Sequence, residues 1–130
     1  MPDEAILRDI PGGAALIDWF GCVPHFHDAV LLEIVLNSKG RSTLRIHAWQ
    51  MTDKLDARGY FVLDKHIVVT ILLEEVTYIA LSDYDLPGII FDFEVTRTDE
   101  GVQLAWDGSY GVEGTLRAKK AQFDLRPGKP

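Results

Sequence analysis

His25 and His27 stand two residues apart in the run Trp19-Phe20-Gly21-Cys22-Val23-Pro24-His25-Phe26-His27-Asp28-Ala29, and Asp28 adds a carboxylate next to them. On an extended segment that spacing turns both imidazoles to one side, so two nitrogens and an oxygen could begin a zinc site. Catalytic zinc takes a third protein ligand, and His47 and His66, on segments that read as strands or strand edges, are available. This gives one reading: a small metal-dependent hydrolase using His25, His27 and Asp28. The competing reading is architectural. His27 fastens a helix-to-strand connection by a ring N–H to a backbone carbonyl, Asp28 by accepting from nearby amides, and Trp19, Phe20 and Phe26 are core aromatics. The spacing has low specificity, and barrel hydrolases with a His-x-His pair need about 250 residues, so the architectural reading is preferred. No catalytic residue, metal ligand or cofactor is then assigned.

Other chemistry finds less support. Ser109 directly follows Gly108, between strands, which is not the strand-to-helix elbow that exposes a nucleophilic serine. Cys22 is a lone thiol beside a helix end, and Gly12-Gly13 is too short to cradle a phosphate. Glu74 with Glu75, Asp83 with Asp85, and Asp92 with Glu94 are paired carboxylates, but on turns and strand faces they lack the opposed placement a glycosidase needs. Trp49 and Trp106 read as covers on the ends of a core.

Periodicity shows what must position these residues. Ala14 to Phe20 is apolar at helical spacing, with Gly21 placed to close it in the left-handed conformation and Pro24 barring continuation. From Ala29 to Leu36, and again from Ser42 to Trp49, alternation predicts two strands joined at Asn37–Arg41. Met51 to Lys65 reads as a surface loop in which Tyr60 to Leu63 could pair. His66 to Glu75 is apolar on both faces and reads as a central strand, with Thr77 to Leu81 as another. Ile89 to Arg97 predicts an apolar face of Ile89, Phe91, Phe93 and Val95 against Ile90, Asp92, Glu94 and Thr96. The turns at Thr98–Gly101 and Asp107–Gly111 lead into the last strands, Val112 to Phe123 being the final one. Short polar turns of this kind join antiparallel neighbours. The fold class expected is α+β, mainly β: an antiparallel meander sheet or two-layer β-sandwich with one short N-terminal helix. All of 1–130 is one domain, with a core over about 14–125 and a frayed tail at 126–130.

The chain has 130 residues and a formal charge of -7, which disfavours duplex nucleic acid as a partner. A lone cysteine fits a reducing cytoplasm. Met1-Pro2-Asp3-Glu4 lacks the basic start of an export signal, and Ile67 to Leu73 is far short of a membrane span. Charge is uneven: residues 1–70 hold nine acids and seven bases, 71–116 ten acids and one base, and 117–130 one acid and five bases. The middle segment, -9 by that count, predicts a negative surface between Glu74 and Glu113 that suits a basic protein.

Phe20-Gly21, Pro24 and Phe26-His27-Asp28-Ala29 before a hydrophobic strand, with Tyr110-Gly111 to Gly114 leading into the last strands, resemble the immunity protein 50 family of bacterial polymorphic toxin systems. The resemblance runs from about Leu16 to Leu125 and departs at Val30, where an acidic residue is more usual. It implies a small cytoplasmic protein that binds and neutralises a cognate toxin without catalysis. By that resemblance Phe26, His27 and Asp28 are a fold signature; independently of it, the acidic segment makes Asp83, Tyr84, Asp85, Asp92 and Glu94 the candidate partner-binding residues, with Tyr78, Tyr84 and Tyr110 as available aromatic anchors. A third reading is a structural domain that self-associates through an exposed strand edge, as a homodimer.

Overall fold

Leu31, Leu44, Ile46, Ile67, Val69, Ile71, Leu73, Phe93, Val95, Leu104, Trp106 and Leu116 alternate along their segments with less buried residues, and all are buried. That period of two dictates strands with one face turned to a common core. The computed structural model describes residues 4–130, the side chains of Met51 and Thr52 excepted. Six strands, β1 (Val30–Val35), β2 (Arg41–Leu55), β3 (Phe61–Ser82), β4 (Gly88–Arg97), β5 (Val102–Tyr110) and β6 (Glu113–Pro127), follow two short helices, α1 (Glu4–Asp9) and α2 (Gly13–Phe20). The strands pair antiparallel throughout and close into a barrel in the order β1-β2-β3-β6-β5-β4. The class is α+β, mainly β.

The helices pack against the barrel core. Leu7 and Ile10 from α1 and its end, with Leu16 and Ile17 from α2, join the strand side chains in one cluster. Gly12 has φ 84, and a Cβ there would collide with the Phe123 carbonyl, so only glycine lets the chain cross β6 this closely. Gly21, at φ 74, closes α2 with its N–H on Ile17 O at 2.7 Å, as its position predicted.

Several boundaries differ from expectation. The core begins at Leu7 rather than near residue 14, because α1 buries that leucine. The tail is ordered as far as Pro127: Val68 and Ile67 register with Arg126 and Pro127, and Gly128 N–H bonds His66 O at 2.8 Å. The two strands expected at 66–75 and 77–81 are one, β3, bent at a register shift after Val76 next to Glu75, which has φ 56. Residues 61–74 of it pair with β2 and residues 67–82 with β6, so that 67–74 lie between the two. This pairing puts the last strand beside the third, so the sheet is no simple meander and closes on itself. Met51 to Leu55 and Phe61 to Leu63 extend the β2–β3 hairpin instead of forming a loop. The acidic start at Met1 to Asp3 lies outside the described residues.

In β4 the expected alternation fails at two register shifts against β5, after Ile89 and after Ile90. Ile90 turns inward at 1% exposure while Phe91 turns out at 56%. Bulges of this kind exchange faces locally and then restore the phase. The consequence is measurable by urea denaturation: Phe93→Ala, emptying a fully buried site, should cost about 3–5 kcal/mol. Phe91→Ala, at a position the sequence pattern equates with it, should cost under about 1 kcal/mol.

Candidate functional site

Barrel closure depends on the segment after α2. β1 and β4 register only at Val30 with Ile89 and Leu31 with Gly88. The seam is lengthened by Asp28 N–H to Ile90 O at 2.8 Å and Ile90 N–H to Ala29 O at 2.9 Å. To make these bonds the chain takes left-handed conformations at Phe26 (φ 55) and Asp28 (φ 65), a region that aspartate tolerates and a bulky residue such as phenylalanine rarely adopts. Burial of Phe26 fixes the first. Its ring stands edge-on to Phe20 at 6.2 Å and to Phe93 at 5.5 Å, and Phe93 stacks on Trp106 at 6.0 Å.

The two histidines then reach different partners. His27 Nδ1–H donates to Phe91 O at 2.7 Å, with Nε2 3.6 Å from the Asp28 carboxylate. His25 Nδ1 lies 3.3 Å from Asp92 Oδ1. The role drawn for His27 from sequence matches this bond, whereas Asp28 contributes through its own amide and its contact with His27. Among the described residues no group of three or more histidine, cysteine, aspartate or glutamate side chains is arranged to hold a metal ion. Cys22 is exposed.

On the outside of the wall, beside this junction, lies a trough of about 410 Å³. Glu94, Ala105, Thr115 and Ala80 register one after another across β4, β5, β6 and β3, and the small residues form its floor. Gly114 belongs to that floor, where a Cβ would come within 2.5 Å of Ala80 O. Asp92, Glu94, Asp107 and Glu113 line the sides, and the lining contains no lysine, arginine or histidine. Asp92 and Asp107 are direct cross-strand partners. Like charges so placed repel. At the Ser82 end the chain runs on into Asp83, Tyr84 and Asp85; Tyr84 is 65% exposed. Tyr110 donates its hydroxyl to Asp85 Oδ2 at 2.8 Å, a bond that raises the Tyr110 pKa above its ordinary value, helped by the carboxylate's charge.

The acidic segment is thus not one surface. Glu74 pairs with Arg41 at 3.2 Å and Glu75 approaches Lys119 at 3.9 Å, away from the trough. Asp99 and Glu100 line a separate depression where Arg117 covers the Tyr78 ring at 4.6 Å, so Tyr78 is not an anchor for the trough. Of the sequence candidates, Asp92 and Glu94 line the trough and Asp83, Tyr84 and Asp85 follow from its end. Asp107 and Glu113 were not singled out, nor was His25 as the partner of Asp92. Only the bulged register brings them together. Comparison with protein families, with curated proteins and with solved structures finds no match to this chain.

His47 and His66, considered above as further metal ligands, hydrogen-bond each other at 2.9 Å and stack, with Trp49 against His47. The His47 pKa is lowered from 6.5, chiefly by burial, then by His66 and Lys129. The unfolded chain therefore takes up the proton first, so this site's contribution is intact above the ordinary value of 6.5 and declines as pH falls below it. Thermal melts between pH 8 and pH 5 should show a steeper loss of Tm on the acid side for the native protein than for His47→Gln.

Proposed function

We propose that this chain is a non-enzymatic binding protein, an immunity-type inhibitor that neutralises a basic toxin domain through the acidic trough. The observation that carries the reading is the direct opposition of Asp92 and Asp107, with Glu94 and Glu113 on the same sides and no basic residue in the lining. Such a pair opposes folding by about 0.2–1 kcal/mol while empty. A lysine or arginine laid between the carboxylates turns that repulsion into attraction.

Apolar groups to complement the charge are close by. Ile89 and Phe91 are exposed on β4, Tyr110 registers with Ile89, and Tyr84 tops the adjoining turn. Aromatic anchors surrounded by charge are what tight protein interfaces use. The junction at Phe26, His27 and Asp28, which carries the resemblance to the immunity protein 50 family, serves here by holding β4, and His25 orients Asp92. Among the described residues no helix is long and apolar enough to cross a membrane. The bacterial cytoplasm, where an exposed lone thiol stays reduced, is the compartment proposed.

The test is co-expression with the effector encoded beside this gene. The native chain should restore growth, and Asp92→Lys with Glu94→Lys should abolish that protection. In purified form the same pair of changes should slow association at least about tenfold, and salt should slow the native complex similarly. Growth unaffected by lysine at Asp83, Asp85, Asp92 and Glu94 would remove this surface from the reading, and failure of the native chain to protect would remove the function. Asp107→Asn separates folding from binding: it should raise stability by about 0.2–1 kcal/mol while weakening the complex.

A further inference from the structure

Beyond His47 and before Ile67 the β2–β3 pair leaves the barrel wall. β1 registers with β2 no further than His47, and β6 with β3 no further than Ile67. Gln50 with Asp64, Met51 with Leu63, and Leu55 with Phe61 continue as a ribbon of two strands. Its tip is built by the Asp56 carboxylate, which accepts from Arg58 N at 2.8 Å and Tyr60 N at 3.0 Å. At its base the Phe20 and Trp19 carbonyls accept from Gln50 Nε2 at 3.1 Å and Lys65 Nζ at 2.8 Å; among the described residues no third strand lies alongside it, and two-stranded ribbons alone are marginal in water.

The ribbon is also apolar where it is exposed. Leu55 is 61% exposed, Tyr60 68%, Phe61 53% and Leu63 39%. Leu55 registers with Phe61, and Leu63 is two residues on, so these three share one face. These three present on the order of 300 Å² of apolar surface on that face, the size of the largest patch an ordinary monomer leaves open, and Tyr60 stands on the other face. Flanking polar stems would bring one ribbon towards the roughly 800 Å² per partner of a stable interface.

Charge selects the occupant. Residues 53–65 hold Asp53, Asp56 and Asp64 with Lys54, Arg58 and Lys65, a neutral set in a chain of net charge -7. Two copies of this chain, each of net charge -7, repel overall but not through this neutral stretch. A basic partner is drawn to the trough instead, and a strongly acidic one meets no positive field on the ribbon.

We propose that the ribbon over residues 50–65 is a homodimer contact, with ribbons of two copies antiparallel about a two-fold axis and Leu55, Phe61 and Leu63 of each against those of the other. The contact is isologous and therefore closes at two copies. It is independent of the toxin reading, which uses the opposite end of β3. Sedimentation equilibrium from about 1 to 100 µM should give a dimer mass for the native chain. Phe61→Lys with Leu63→Lys should raise the dimer Kd at least about tenfold with an unchanged circular dichroism spectrum. A second variant removes dependence on that one folding: with Cys22→Ser in place, Leu55→Cys should cross-link to a dimer with a short bismaleimide, and Tyr84→Cys should not. A native monomer throughout the range, a dimer untouched by the lysines, or no Leu55→Cys cross-link would overturn the proposal.

Discussion

Closing a sheet into a barrel requires its first and last strands to meet, and here that meeting is brief. β1 touches β4 over two residue pairs, where β3 and β6 share fourteen. The segment Phe26 to Ala29 supplies what the strands do not: two further backbone bonds to Ile90 and a ring bond from His27 to Phe91. It does so in a backbone shape that opposes folding, with left-handed residues at Phe26 and Asp28, each costing about 1–3 kcal/mol. Burial of the Phe26 ring among Phe20 and Phe93 offsets that cost. Seam, aromatic core and the exposed bulge of β4 are thus one arrangement, and loss of any part loosens the others.

Much of this was legible in the chain. Gly21 ended a helix where its position said it would, alternation placed the inward face of β2, and short polar turns implied antiparallel pairing, whereas in β1 a register shift after Leu31 breaks the alternation. What failed did so for physical reasons. The α1 segment has one buried leucine in six residues, too few to show a period. The bulges in β4 reverse parity at Ile90 and Phe91, and no local propensity encodes a bulge whose partners, Tyr110, Gly108 and Asp107, lie far along the chain. Closure itself is a property of register summed around the sheet, beyond the reach of any window of sequence.

The candidate site was half visible for the same reason. Asp92 and Glu94 stand two apart on one strand, which alternation can report. Asp107 and Glu113 join them only through pairing across β4, β5 and β6. Excess negative charge between residues 71 and 116 was correct as a sum and misleading as a surface, because Arg41 and Lys119 attend Glu74 and Glu75 elsewhere. The carboxylates left together are those that the fold holds side by side against their own repulsion. That arrangement is hard to account for as solubilising charge, which needs no such crowding.

Among the described residues, side chains fill the middle of the barrel. Leu44, Ile46, Val69, Ile71, Phe93 and Leu104 pack its middle, and Leu7, Leu16 and Ile17 stopper it from the helices. A lumen so filled with side chains cannot swallow a small molecule as wider barrels do. On the proposed reading, recognition falls to the outside of the wall, where the relief and charge of the trough would meet a folded partner.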